Sequence, residues 1–161
     1  MGTESKEFGT GMPALQALIQ RAVKQVRQRS GTDPADSLVF MGNWHQAIPA
    51  LVVQDPVLEP VDKLVWMVIQ LQAQQTGGRT AFPSYDRIAR IANIGSTTTV
   101  SRAIAILRIT RWLTLCARVR NAQGQFRGHV YALHDEPLAL NETLQLDADY
   151  MLYLNRATGH H

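Results

Sequence analysis

Apolar side chains recur every three or four residues in two stretches of the chain, which is the spacing of one face of an α-helix. The first stretch, residues 13–29, begins with Pro13, which suits the first turn of a helix, and carries basic side chains on its other face. The second runs from about residue 61 to residue 75, and Asp62 lies where an acid favours a helix start. The pattern predicts a basic amphipathic helix and, later, a helix with one apolar face.

Residues 83–112 predict two further helices separated by a tight turn. Pro83-Ser84 is typical of a helix start, and Asn93-Ile94-Gly95 supplies two residues, Asn and Gly, that adopt left-handed backbone geometry readily. Ser96 or Thr97 caps the following helix. Helical spacing directs three of its residues inward: Val100, Ile104 and Leu107. Six others are left largely outward: Thr98, Thr99, Ser101, Arg102, Ala105 and Arg108.

Two segments after these helices alternate between apolar and polar residues, as strands do. They span residues 113–120 and 128–134, and the turn-forming sequence NAQGQFRG connects them. The following residues, 135–157, are compatible with a helix. The predicted fold is therefore mainly α with a small antiparallel β-hairpin.

The same patterns divide the chain into segments. Residues 1–12 resemble a disordered, tag-like start, and residues 13–37 hold the amphipathic helix and a linker at Ser30–Ser37. Residues 38–157 form the predicted domain, and residues 158–161 resemble the remnant of a purification tag.

Positive charge is concentrated between residues 79 and 134, although the whole chain carries a formal charge of only +3. That segment contains nine arginines and one acid, Asp86, whereas residues 135–161 contain five acids and one arginine. A local excess of positive charge suits a polyanionic partner, and arginine binds phosphate and guanine edges bidentately. The alternative is a solvated basic face.

Residues suited to catalysis or metal binding are dispersed. Cys116, the single cysteine, lies in an apolar run and is expected to be a buried structural thiol in a reducing cytoplasm. Residues 55–62 hold three acids at a loose spacing that suits helix capping better than a two-metal centre. No metal-ligand spacing links the histidines at 45, 129 and 134. We expect no enzymatic activity and no cofactor.

The segment 83–134 resembles the winged helix-turn-helix family of DNA-binding domains. PSYDRIARIA, residues 83–92, is similar to the opening of the family's motif, and TTVSRAIAIL, residues 98–107, is similar to its recognition helix. Two features depart from the pattern: the turn is one residue longer, and Arg111 occupies a position where a helix-ending glycine is common. The resemblance implies a recognition helix that reads double-stranded DNA, followed by a β-hairpin wing.

Residues 42–69 resemble a segment that precedes the winged helix in replication-type proteins of pathogenicity islands and integrative conjugative elements. This second resemblance implies origin binding or replication initiation on a mobile bacterial element. Winged-helix transcriptional regulators share the same motif, and a protein-interaction module without DNA binding is a further alternative. The first twelve residues do not resemble a secretory signal, and no apolar run is long enough to span a membrane, so we expect a cytoplasmic, nucleoid-associated protein.

Short hydroxyl side chains at the start of a recognition helix permit close approach to the major groove, and basic side chains on a wing suit the DNA backbone or the minor groove. Arg102 is the first choice for a base or phosphate contact. The predicted DNA-binding residues are Ser84, Arg87, Ser96, Thr97, Thr98, Thr99, Ser101, Arg102, Arg108, Arg118, Arg120, Gln125 and Arg127.

Three features allow more than one interpretation. The helix at 13–29 could form a homodimer or bind another partner, lie on DNA, or pack on the domain. Phe126, an aromatic residue at the tip of the wing, could contact a partner or fold back onto the hairpin. The tryptophans at 44, 66 and 112 are expected to pack in the core.

Overall fold

A computed structural model of the chain describes residues 12–28, 46–75 and 82–159. These residues divide between Gln46 and Ala47 into two compact units. Residues 1–11 of the start predicted at 1–12 lie outside the described residues, whereas Met12 already belongs to a helix. The linker at 30–37, Trp44, His45, Arg79 and the last two residues also lie outside the described residues.

The first unit contributes one helix, α1 (Met12–Gln28). It agrees closely with the helix predicted at 13–29. Ile19, Val23 and Val26 are exposed, at spacings of four and three residues that place them on one face.

The second unit is mainly α with a two-stranded antiparallel hairpin, as the sequence predicts. In chain order its elements are α2 (Ala50–Gln54), α3 (Pro60–Gln75), α4 (Tyr85–Ala92), α5 (Thr97–Ile109), β1 (Leu113–Arg120), β2 (Phe126–Leu133), α6 (Leu140–Leu146) and α7 (Tyr150–Thr158). The tail predicted as helix-compatible forms two helices, because the chain leaves helical geometry at Asp147.

Two tryptophans form the centre of the core in which α3, α4 and α5 pack together. Trp66 and Trp112 meet edge to face with ring centroids 6.2 Å apart, an arrangement that aromatic quadrupoles favour. Each buried indole donates its N–H: Trp66 to the His134 carbonyl oxygen at 3.1 Å and Trp112 to Asp55 Oδ2 at 2.8 Å. Both expectations of core packing are confirmed.

The turn between α4 and α5 uses one left-handed residue. Asn93 has φ 54° and ψ 44°, and its backbone N–H bonds back into α4. Gly95, the other residue of the turn that adopts this geometry readily, is not among the positive-φ residues. After α5, Arg111 adopts φ 65°, the conformation for which a glycine is preferred.

The hairpin pairs β1 with β2 in antiparallel register and contains two irregularities. Leu113 and Leu115 at its base are buried, whereas β1 from Ala117 to Arg120 is exposed. The inner half of the hairpin therefore belongs to the core, and the outer half projects from the domain as a wing.

Candidate nucleic-acid interface

The first turns of α5 present short polar side chains on the surface. The Ser96 hydroxyl accepts a hydrogen bond from the Thr98 backbone N–H at 3.1 Å, so Ser96 caps the helix as predicted. Thr97, Thr98 and Ser101 are exposed, and Thr99 is half-buried. The opposite face is fixed in the core by Val100, Ala103, Ile104 and Leu107. Core packing thus orients a helix start that carries four hydroxyl side chains, from Ser96 to Thr99.

Arg102 is exposed one turn after this helix start. The Asp62 carboxylate, in the first turn of α3, lies near enough to feel its positive charge. Asp62 Oδ2 accepts a hydrogen bond from the Glu59 backbone N–H at 2.9 Å and so caps α3. Burial raises the pKa of Asp62, while the Glu59 bond and the positive charge of Arg102 lower it in part. Within the described residues no ion pair joins Arg102 to this carboxylate, and the exposed arginine is available to a ligand.

Ser84 and Arg87 lie at the start of α4 and are both exposed. The Ser84 hydroxyl accepts a hydrogen bond from the Arg87 backbone N–H at 3.1 Å, and Arg87 Nε donates to Gln72 Oε1 at 3.2 Å. Ser84 is therefore an N-cap that keeps its own hydroxyl proton available for donation. The guanidinium of Arg87 is thus anchored through Nε on an exposed side chain.

Arg108 was predicted to point outward as a DNA-binding residue, and this prediction was wrong. The side chain is buried, and its guanidinium forms an ion pair with Asp147 at 2.8 Å. It also lies over the ring of Tyr153, 3.8 Å from the centroid. Arg108 therefore connects α5 to the C-terminal helices and is not on the surface that could meet DNA.

Exposed basic side chains line the outer half of the wing: Arg118, Arg120 and Arg127. Arg120 donates a hydrogen bond to the Gly124 carbonyl oxygen at 3.0 Å, and Gln125 Oε1 accepts one from Asn121 Nδ2 at 3.0 Å. The Asn121 carboxamide oxygen also accepts the backbone N–H groups of Gln123 and Gln125. The wing loop is thus ordered by its own polar side chains, and its arginines face solvent.

Two features of this surface escaped the sequence analysis. Arg90 is exposed on α4 and borders a depression of about 570 Å³ at the turn, together with Asp86, Asn93 and Thr97. A row of aromatic rings runs along the wing from Phe126 through His129 to Tyr131. The position of Arg90, four residues after Asp86 on an exposed helix face, was a signal for the first feature.

The single cysteine and the histidine at the base of the hairpin are both partly buried. Cys116 is half-buried, and burial raises the pKa of its thiol. His134 Nε2 lies 2.7 Å from the Thr114 hydroxyl oxygen, and burial lowers the pKa of this imidazole.

Within residues 12–28, 46–75 and 82–159, no group of three or more His, Cys, Asp or Glu side chains could hold a metal ion. In the same ranges no helix combines the length and the apolar character that crossing a membrane requires.

Residues 58–113 match the family model described as a helix-turn-helix domain. The matched segment contains α3, α4 and α5, which are the helices that position the polar surface described above. No curated protein and no solved structure matches the chain. The chain therefore contains a helix-turn-helix domain, followed directly by a wing.

Proposed function

We propose that this domain binds double-stranded DNA with the N-terminal half of α5 in the major groove. The observation that carries the proposal is the division of α5 into two faces: Val100, Ile104 and Leu107 are buried, while Thr97, Thr98, Ser101 and Arg102 are exposed. Small hydroxyl side chains let the backbone approach base edges, and an arginine can donate two hydrogen bonds to guanine. Ser96 caps the helix, and we assign Ser96 and the half-buried Thr99 to the same DNA-facing surface.

Charge supports the same ligand. Arg108 is not counted, because it is buried and paired with Asp147. The other arginines of α4, α5 and the wing are exposed and number six: Arg87, Arg90, Arg102, Arg118, Arg120 and Arg127. If each neutralises one phosphate, the slope of log affinity against log salt is about −5. This steep salt dependence comes from the release of counterions condensed on DNA, so binding of a protein partner to the same charged surface should depend less on salt.

The test compares wild type with Arg102→Glu by fluorescence anisotropy, at two salt concentrations, on duplex fragments from the genetic neighbourhood of the protein. Arg156→Glu is the matched control, because Arg156 is also exposed but lies on α7. We expect salt-sensitive binding that Arg102→Glu abolishes and Arg156→Glu retains. Absence of binding by the folded wild type at low salt would favour a protein-docking module.

For the biological role, we propose origin binding on a mobile bacterial element. The support is the resemblance of residues 42–69 to the segment preceding the winged helix in replication-type proteins. Transcriptional regulation is the alternative, because both roles use the same DNA-reading surface. The preferred fragment in the binding experiment discriminates between them: an origin sequence supports replication, and a promoter supports regulation.

We also propose that α1 forms a homodimer contact. Its exposed apolar residues Ile19, Val23 and Val26 repeat at helical spacing, and the basic residues Arg21, Lys24 and Arg27 are exposed on the same helix. A second copy of the same helix would cover the apolar face, and a two-fold pair of reading heads suits a palindromic site.

A further inference from the structure

The outer half of the wing carries an aromatic side chain that the fold does not bury. Phe126 is 51% exposed, at the first position of β2. Its ring lies against that of His129, with centroids 4.8 Å apart. His129 in turn meets Tyr131 at 5.7 Å, and Tyr131 meets Phe82 at 4.7 Å next to the core. The exposed ring is thus the outer end of a row that is anchored in the domain.

A backbone irregularity places Phe126 in this row. Side chains alternate between the two faces of a strand, so residues 126 and 129 would ordinarily point to opposite faces. In the hairpin, Val119 pairs with Gly128 and Arg120 pairs with Phe126, which leaves Arg127 as an extra residue. Such a bulge changes the direction of the side chains beyond it. Gly128, with φ 155°, supplies a conformation next to the bulge that other residues rarely adopt.

Arginines surround the row, and the hairpin from residue 113 to residue 134 contains no acid. Arg118 is paired with His129 across the strands and Arg120 with Phe126, so each shares the face of the ring opposite it. Arg127 in the bulge adds a third exposed guanidinium. Burial and the charges of Arg118 and Arg108 lower the pKa of His129, which favours the neutral imidazole.

We propose that Phe126 stacks on an unpaired nucleobase of DNA, while Arg118, Arg120 and Arg127 hold the phosphates on either side of it. A half-exposed ring that is already immobilised by its neighbours loses little conformational freedom on binding. Every base has an aromatic face, and flanking cations complement the backbone, so this combination suits single-stranded DNA. The bases of an intact duplex are stacked on each other, so the ligand is a locally melted site.

The inference rests on the proposed DNA binding and assigns the wing a second task. The α5 surface reads the closed duplex, and the wing engages a base that has left the stack. The proposal concerns the class of DNA and does not depend on the sequence that α5 prefers.

The experiment measures anisotropy on three labelled probes of one sequence: a closed duplex, the same duplex with a short unpaired bubble, and that bubble with abasic sites replacing its bases. We expect wild type to bind the intact bubble about tenfold more tightly than either other probe, the range of stacking on one base. Phe126→Ala should bind all three equally. Phe126→Trp should keep the preference, and Phe126→Leu, which keeps apolar bulk without an aromatic face, should lose it.

Val130→Ala is the matched control, because Val130 is 49% exposed on the wing and its partner is Ala117, outside the aromatic row. It should keep the wild-type preference. Equal binding of the intact and abasic bubbles by wild type, or an unchanged preference in Phe126→Ala, would overturn the inference. In either case duplex binding that depends on Arg102 would leave the proposed function intact, whereas no binding of any probe would remove both.

Discussion

Arg108 donates two hydrogen bonds to a single carboxylate oxygen of Asp147, from Nε at 3.0 Å and from a terminal nitrogen at 2.8 Å. The two residues are 39 positions apart in the sequence, and both are buried. The Tyr150 hydroxyl reinforces the contact by donating to the Ile109 carbonyl oxygen at 2.6 Å. The C-terminal helices therefore hold the C-terminal end of α5 in place.

We predict that Asp147→Ala lowers the free energy of unfolding by about 3 kcal/mol, because it leaves the buried guanidinium of Arg108 without its counter-ion. Urea unfolding measures the change. Asp149→Ala removes an exposed acid two residues further along, whose side chain makes no capping hydrogen bond, and should alter stability by less than about 0.5 kcal/mol. Equal effects of the two substitutions would contradict a specific role for the ion pair.

The sequence predicts the helix ends, which depend on local contacts, but not the burial of Arg108, which depends on a distant partner. Ser84, Asn93 and Ser96 act on backbone groups within a few residues of themselves, so local residue types suffice to locate the helix ends. Arg108 follows Ile104 by one turn and so lies on the buried side, but arginine is rarely buried without a partner. That partner lies in another helix, and no local pattern indicates it.

The wing shows a similar limit. The alternation of apolar and polar residues correctly predicts β1 and most of β2, because one face of the hairpin base packs against the core. The direction of Phe126 depends on one unpaired residue, Arg127, which sequence alternation alone does not reveal. The proximity of Asp62 to Arg102 likewise follows from the packing of α3 on α5.

Arg111 provides a test of backbone strain. Its φ of 65° disfavours any residue with a Cβ atom, while its Nε donates to the Leu138 carbonyl oxygen at 2.8 Å. Arg111→Ala and Arg111→Gly both remove that hydrogen bond and differ in the cost of the left-handed conformation. We predict that the glycine variant is about 1 kcal/mol more stable than the alanine variant in urea unfolding. Equal stabilities would show that this conformation carries no such cost.

Stability should decrease as the pH falls below neutrality, partly through His134. Burial lowers the pKa of its imidazole below the ordinary value, although Asp135 and Glu142 raise it in part. The unfolded chain then binds more protons than the folded one as the pH falls through the unfolded pKa, about 6.5, so protonation favours unfolding.

We predict that His134→Gln reduces the fall in melting temperature between neutral and mildly acidic pH. Because the pKa of His129 is also lowered, by burial first, the fall should decrease but not disappear. An NMR titration in which His134 has a pKa at or above its ordinary value would contradict this account.

The salt dependence of DNA binding should identify the arginines that contact phosphate or base edges. Arg102→Gln removes one positive charge from the exposed side of α5 and is predicted to reduce the salt slope by about 1. Arg156→Gln removes the same charge from α7 and should leave the slope unchanged. Anisotropy titrations across a series of salt concentrations measure both slopes. Identical slopes for the two variants would mean that Arg102 does not release counterions.

A homodimer through α1 predicts a specific response to charge on its apolar face. Ile19→Glu with Val23→Glu introduces two acids at exposed positions one turn apart, where two copies of the helix would meet and the acids would repel each other. Light scattering after size exclusion should give twice the 17.9 kDa chain mass for wild type and the single chain mass for the double variant. Gln20→Glu, an acid on the polar side of the same helix, should remain dimeric. A wild-type mass of one chain at high protein concentration would exclude this contact and would leave α1 free to bind another partner.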